Sequence, residues 1–223
     1  MPVLLHLDSS PMGEQAISRQ LTREFARMWC NANPEGHVIY RDLTRFSIPT
    51  VDEDWIAANY TPCESRTPHQ HGILAFSTNL TQELLDADEY VFGVPLHNWG
   101  PASAFKLWTD QIVHFGRTMR ITPSGLVGTL EAKRLTVFMT AGRRYRSGLE
   151  NQSRNHLEPW LRTFFANLGI RDMRLVFIDG TAAIRRGEVD SAKFLAPHIA
   201  SIHSLFSEVI APQAGQDPPT QNP

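Results

Sequence analysis

A chain of 223 residues, 42% hydrophobic and 20% charged, is long enough for one large domain with a substantial core. Its formal net charge of −2 gives no long-range attraction to nucleic acid or an anionic membrane surface, and no apolar run approaches the roughly 20 residues of a membrane helix. Cys30 and Cys63 are isolated, which argues against a disulfide scaffold or a zinc site and fits a reduced, cytoplasmic setting.

Val3–Asp8 is a near-continuous apolar run opening into Ser9-Ser10-Pro11. It reads as a central parallel strand and, lacking a basic flank, not as a signal peptide. Ile17, Leu21, Phe25, Met28 and Trp29 form a helical stripe that starts near Gly13–Ala16 and stops at Asn31–Gly36. His37–Tyr40 is a second short strand, which completes a right-handed βαβ unit. Residues 43–67 are irregular, with a helical turn or two at Trp55–Ala58, and long insertions of this kind are often binding or partner-contacting arms. A helix follows over Pro68–Leu85. Tyr90–Val94 is a buried strand that should end at Pro95, which cannot donate to a ladder. Leu96–Trp99 is expected as an irregular turn, and Pro101 as the first position of a helix carrying Phe105, Trp108, Ile112 and Phe115. Arg120–Gly125 is an excursion with a turn. Arg134–Thr140 is the fourth strand, Ser153–Leu168 a helix capped by Gly169, Arg174–Ile178 the fifth strand and Val189–Ile210 the last helix. One domain over residues 1–211 and a disordered tail over 212–223 are expected. Alternating strands and helices imply a three-layer, doubly wound α/β fold.

Neither G-x-G-x-x-G nor G-x-x-x-x-G-K-[ST] occurs, so the common dinucleotide and Walker-type phosphate cradles are unsupported. Ser9, Ser10 and Ser18 flank the first helix start instead. Read alone they are a polar turn and a helix-start residue; read with the Leu96–Trp99 loop they can surround a phosphate at a helix N-terminus. In a sheet of order 2-1-3-4-5, strands one and three adjoin at the switch point, where a mononucleotide sits. His69 and His71, two apart, point to different helix faces and do not suggest a shared metal. Asp52–Asp54 reads as surface charge, and no Ser/His/Asp or Cys/His arrangement supports a hydrolase.

These residues resemble the FMN-dependent NADH azoreductase and NAD(P)H quinone oxidoreductase family, of flavodoxin-like fold, from about residue 3 to 205. Its S-S-(x)n-S-x-S loop corresponds to Ser10 and Ala16-Ile17-Ser18, and its P-M-Y-N-F loop to Pro95-Leu96-His97-Asn98-Trp99. Its following L-K and Asp correspond to Phe105-Lys106 and Asp110, its S-R-G-G segment to Thr140-Ala141-Gly142-Arg143. The late pattern of Pro, aromatic, Leu, Phe and Gly-Ile appears as Pro159-Trp160-Leu161, Phe164 and Gly169-Ile170. Ala16 stands for a Ser, His97 for a Tyr, Trp99 for a Phe and Arg143 for the second Gly.

The resemblance implies a flavodoxin-like three-layer sandwich with a five-stranded parallel sheet of order 2-1-3-4-5. It implies tightly held, non-covalent FMN contacted by Ser10, Ala16, Ile17, Ser18, Leu96, His97, Asn98, Trp99, Thr140, Ala141, Gly142 and Arg143. Asn98 both donates and accepts, matching the flavin edge; Leu96 and Trp99 pack on the ring; backbone N–H groups of Thr140–Gly142 run along its polar edge. Arg143 can reach ring or phosphate, and Arg143, Arg144 and Arg146 form a basic patch that reads either as a contact for a nicotinamide nucleotide phosphate or, as such runs more often are, as a solvated face. His97 reads equally as a proton donor to the acceptor or as a structural replacement for Tyr. Tyr60, Phe115, Ile121 and Tyr145 are candidate substrate-pocket residues. The implied activity is two-electron transfer from NADH or NADPH through FMN to a quinone or azo compound, by ping-pong kinetics in a homodimer with FMN sites at its interface. Two alternatives stand beside it: a one-electron carrier of flavodoxin type, disfavoured by the near-neutral charge and the 43–67 insertion, and a non-catalytic flavin-binding regulatory module.

Overall fold

In the computed structural model, which describes residues 1–145 and 152–210, five parallel strands alternate with helices on both faces. The expected tail and Arg146 lie outside the described residues. The strands are β1 (Val3–Asp8), β2 (His37–Asp42), β3 (Glu89–His97), β4 (Arg134–Thr140) and β5 (Asp172–Ile178), in the order β2-β1-β3-β4-β5. The helices are α1 (Ile17–Ala32), α2 (Glu53–Tyr60), α3 (Pro68–Asp86), α4 (Ser103–Ile112), α5 (Leu157–Asn167), α6 (Ala182–Arg185) and α7 (Ser191–Ile210). The flavodoxin-like topology and strand order expected from the sequence are those observed.

The central strands are apolar on both sides because helices cover both. Leu5, Leu7, Tyr90 and Phe92 face a core shared with Leu80 and Leu84 of α3, Phe105 and Trp108 of α4, and Leu161 and Phe165 of α5. Leu4, Val91, Phe138 and Ile178 face Leu21, Phe25 and Trp29 of α1 and Ile202 and Phe206 of α7. Both cores put the carboxyl ends of β1, β3 and β4 side by side, which is the place the site needs.

Several local expectations need correction. Pro95 does not end β3, which runs on to His97. The last β1–β3 pair is Asp8 with Gly93, and Gly93 presents its carbonyl to that side by accepting from Ser9 N–H. Two residues on, Pro95 would have directed its missing N–H to the same side, where β1 has already left, so the ladder loses nothing. The Leu96–Trp99 turn is not irregular: Leu96 pairs with Pro101 and His97 with Gly100 in a two-residue hairpin. Pro101 therefore sits in a short antiparallel strand, and α4 starts later, after Ala102. The Asp52–Asp54 acids are also more than surface charge, since Asp52 Oδ1 caps α2 by accepting from Trp55 N–H at 2.8 Å. Helix α6 was not foreseen, and α5 begins at Leu157 after a 3-10 turn over Gln152–Arg154.

The 43–67 insertion is held by a buried clamp. Asn59 donates to Val113 O at 3.0 Å and accepts from Phe115 N–H at 2.9 Å. Arg66 donates to the carbonyls of Ala58, Asn59, Thr61 and Phe115, and also approaches His114 Nε2 at 3.2 Å. Arginine can only donate, so Nε2 is the acceptor and Nδ1 carries the proton toward Ser77 Oγ, 3.1 Å away. Burial, then the positive charges of Arg66 and Arg117, push the His114 pKa down to about 4. The unfolded chain binds this proton from about pH 6.5 downward while the folded one refuses it until about pH 4. Stability from this group is therefore complete above pH 6.5 and is lost as pH falls toward 4. Melting temperatures measured from pH 7.5 to 5 should fall more steeply for the wild type than for His114→Asn; parallel profiles would show that His114 takes no part.

Candidate active site

The ends of β1, β3 and β4 open on a cleft of about 250 Å³ at the topological switch point. The first segment contributes Ser10, Met12, Gln15, Ala16 and Ile17; the second Pro95, Leu96 and His97; the third Thr140 and Gly142; and α6 with its approach adds Thr181, Ile184 and Arg185.

At one end lies the start of α1. A 3-10 turn over Gly13–Gln15 delivers the chain to Ala16, the N-cap residue, which has no side chain able to cap. The first-turn N–H groups of α1 thus have no side-chain acceptor, and they meet Ser10, whose hydroxyl accepts from Met12 N–H at 3.4 Å. An uncapped helix start beside a hydroxyl suits an anion. Ser9, by contrast, is structural, its buried hydroxyl donating to Gly93 O at 2.8 Å. Ser18 is buried beneath the helix, against Gly93, and does not line the cleft.

The middle of the cleft is the β3 hairpin. Its turn residues Asn98 and Trp99 have φ of 45° and 68°, the twist required of a two-residue hairpin turn but a strained one for residues other than glycine. Both side chains are exposed, Trp99 at 50%, and stand at the rim, while Leu96 and His97 form the wall. Trp99 O accepts from His156 N–H at 3.2 Å, which ties the hairpin to the start of α5.

On the third side, Ala141 is buried and its N–H is already donated to Ile178 O, so it is not available to a ligand. Arg143 and Arg144 are exposed and line a neighbouring hollow. Among the described residues, the guanidinium that reaches the cleft belongs to Arg185, which no periodicity or motif marked. Of the four expected pocket residues, Tyr60 and Phe115 pack together with ring centroids 4.7 Å apart and Ile121 is 64% exposed. Tyr145 is buried against Phe177. None of the four lines the cleft of this single chain.

Beneath the cleft runs a buried polar network. Asp8, 1% exposed, accepts from Thr22 Oγ1 at 2.8 Å and Tyr40 OH at 3.1 Å, and lies 3.4 Å from His6 Nε2 and 3.6 Å from Arg19 Nη1. Arg19, equally buried, bonds Asp42 at 2.8 Å. Burial raises the Asp8 carboxyl, but its His6 and Thr22 contacts and the Arg19 charge outweigh it and hold the pKa below the ordinary value. Burial also raises Asp42, yet bonds from Arg19 and Thr44 hold it at about 2.

A larger hollow of about 680 Å³ lies between the end of β5 and α7. Its lining includes the carboxylates of Asp179, Glu188 and Asp190 against one lysine, Lys193, with Glu188 paired to Arg186, so negative charge still exceeds positive there and disfavours a phosphate.

The switch-point cleft suits FMN: hydroxyl and uncapped N–H groups at one end match a phosphate, and the apolar walls of Pro95, Leu96 and Ile184 match a flat ring. Among the described residues no group of His, Cys, Asp and Glu could hold a metal ion, and no helix is long and apolar enough to cross a membrane.

Comparison with known proteins agrees. A family model described as flavodoxin-like fold matches residues 3–201. FMN-dependent NADH:quinone oxidoreductase 3 of Burkholderia lata is 54% identical over 204 residues, covering 92% of this chain and 99% of its own length. The FMN-dependent NADH:quinone oxidoreductase of Acidobacterium capsulatum is 42% identical, covering 88% and 95%. The crystal structure of an azoreductase from Bacillus anthracis superposes with a TM-score of 0.80 at 22% identity, over 93% of this chain and all of that one; this likeness is one of fold.

Proposed function

The chain belongs to the family of FMN-dependent NADH:quinone oxidoreductases, and on that premise we propose that its switch-point cleft holds the FMN through which NADH reduces quinones and, reductively, azo compounds. The observation that carries this reading is the uncapped start of α1 meeting the ends of β1 and β3 in a sheet of order β2-β1-β3-β4-β5. When bound, FMN supplies two-electron chemistry, taking electrons from the nucleotide in one half-reaction and giving them to the acceptor in the next.

The chain's residues do the rest. Ser10 and the first-turn N–H groups at Ile17 and Ser18 hold the phosphate; Ala16 bounds it as a wall only, because its own N–H is already donated to Gly13 O at 3.1 Å. Leu96 shapes the wall against the ring, Asn98 and Trp99 close over the rim, and Thr140 and Gly142 bound its polar edge. His97 stands on that wall with a titratable ring, in place to donate a proton to a quinone oxygen or azo nitrogen. The exposed apolar side chains of Tyr60 and Ile121 become pocket walls when a second copy covers them, as in a homodimer with its sites at the interface. Residues 1–211 act as one domain, and two exposed free thiols, Cys30 and Cys63, suit a reducing cytoplasm.

Initial-rate kinetics of FMN-loaded protein test the reading. With benzoquinone and an azo dye as acceptors, NADH or NADPH should give parallel double-reciprocal lines; intersecting lines would rule out the two-stroke scheme, and no turnover with either acceptor would refute the function. Within the same assay His97→Phe decides the proton role. Acceptor reduction should slow by about 10²-fold or more at constant FMN affinity if His97 donates, and unchanged rates would leave it a wall residue only.

A further inference from the structure

Among the described residues Arg185 is the one guanidinium on the cleft, and the backbone of α6 is fastened beside it. Gly180 N–H donates to Arg143 O, Thr181 N–H to Ala141 O and Ala182 N–H to Gly142 O, each at 3.1 Å. Thr181 Oγ1 adds a second bond to Ala141 O at 3.1 Å. This zipper fastens α6 to the loop after β4, so the approach of Arg185 to Gly142 follows from main-chain hydrogen bonds. Its Nη2 lies 3.5 Å from where a Cβ on Gly142 would stand. Neighbouring arginines are spent otherwise: Arg186 pairs with Glu188, and Arg143 and Arg144 face the adjacent hollow. Among the described residues no carboxylate pairs with Arg185, so a cation stands ready on a wall otherwise built of apolar groups, hydroxyls, amides and the His97 imidazole.

We propose that Arg185 places its positive charge on the polar pyrimidine edge of the bound flavin, beside Gly142, and thereby favours the reduced over the oxidised cofactor. The inference rests on the FMN reading above. A hydride brings two electrons and one proton, so the ring gains one negative charge, and a cation at that edge stabilises it. Phosphate is the competing anion, and position argues against it. Ser10 and the α1 start follow β1, whereas Thr140 and Gly142 follow β4, two strand spacings or about 10 Å across the sheet. A long-chain guanidinium on the far side from the phosphate end meets the ring instead. The sequence points to Arg143 for this task; the fold gives it to Arg185.

Arg185→Gln is the test, with Arg185→Lys beside it, since an exposed side chain without an ion pair can be replaced without unfolding the chain. Dissociation constants for FMN and riboflavin, and the midpoint potential of each bound flavin, are measured for all three proteins. Arg185→Gln should lower the preference for reduced flavin about tenfold, a fall of about 30 mV for a two-electron couple. The shift should appear with riboflavin as with FMN, and Arg185→Lys should recover most of it. Weakened FMN binding with riboflavin affinity and both potentials unchanged would assign Arg185 to the phosphate and overturn the proposal. Identical potentials and affinities in all three proteins would overturn it as well. Wild-type protein that binds neither flavin would instead refute the FMN site itself.

Discussion

Ala16→Asp is expected to stabilise the ligand-free protein and to weaken FMN binding at least a hundredfold. Ala16 is the N-cap of α1 and a wall of the cleft, with backbone dihedrals of −68° and 123° that a capping residue adopts without strain. An aspartate there accepts from the first-turn N–H groups that the native sequence leaves without a side-chain partner. Such caps contribute roughly 0.5–2 kcal/mol, so the melting temperature of the ligand-free variant should rise. The same carboxylate occupies the donors on which a phosphate depends and repels it. Two unit charges about 4 Å apart near a protein surface oppose each other by up to about 4 kcal/mol, against about 2.7 kcal/mol for a hundredfold change in affinity. Ala16→Ser should cap the helix too, but by adding a hydroxyl without a charge it should tighten FMN. Opposite signs in melting and titration are what separate this account from general damage. Unchanged FMN affinity in Ala16→Asp would place the phosphate elsewhere.

Asp8→Ala is expected to cost about 3–5 kcal/mol of stability, the usual range for removing one partner of a buried ionic pair. The carboxylate is 1% exposed, and without it Thr22 and Tyr40 lose their acceptor. Arg19 would keep only Asp42 and Tyr40 while Nε and Nη2, already without hydrogen-bond partners, stay buried. A loss of this size is a large share of the 5–15 kcal/mol typical of a domain. Chemical-denaturation midpoints should fall accordingly, and a drop below 1 kcal/mol would mean that the network is worth little. Its pH dependence has a definite sign. Asp8 and Asp42 titrate below their ordinary value when folded, so the stability they confer is present above about pH 4 and is lost as pH falls below it, for Asp42 toward about 2. Wild type should therefore lose more stability over that interval than Asp8→Ala does.

Much of this protein was legible before its structure, and the misses have physical causes. The three central strands show as short, mostly apolar runs because helices bury both of their faces, a condition written into nearly every residue of Val3–Asp8, Tyr90–Val94 and Leu135–Thr140. Pro95 misled because the cost of a missing N–H depends on whether a neighbouring strand still runs alongside, and β1 stops two residues earlier. The hairpin at Asn98-Trp99 lacks the usual glycine, so local chemistry gave no warning of two left-handed residues in succession. Asp52 looked like one charge among three, since capping depends on where the helix starts rather than on composition. Arg143 lines the neighbouring hollow while Arg185 lines the cleft, for a similar reason. Their separation is decided by hydrogen bonds between residues 141–143 and 180–182, which join segments far apart in the chain. The motif segments located the site, while the direction of each side chain within it came from tertiary structure.

The central claim is that FMN occupies the cleft at the ends of β1, β3 and β4, and not the larger hollow beside β5. Backbone hydrogen exchange with and without FMN addresses it directly. The account predicts protection in the separated segments 10–18, 95–99, 140–143 and 181–185, with little change along 188–198. Protection confined to 177–198, or none in the first segment, would contradict it.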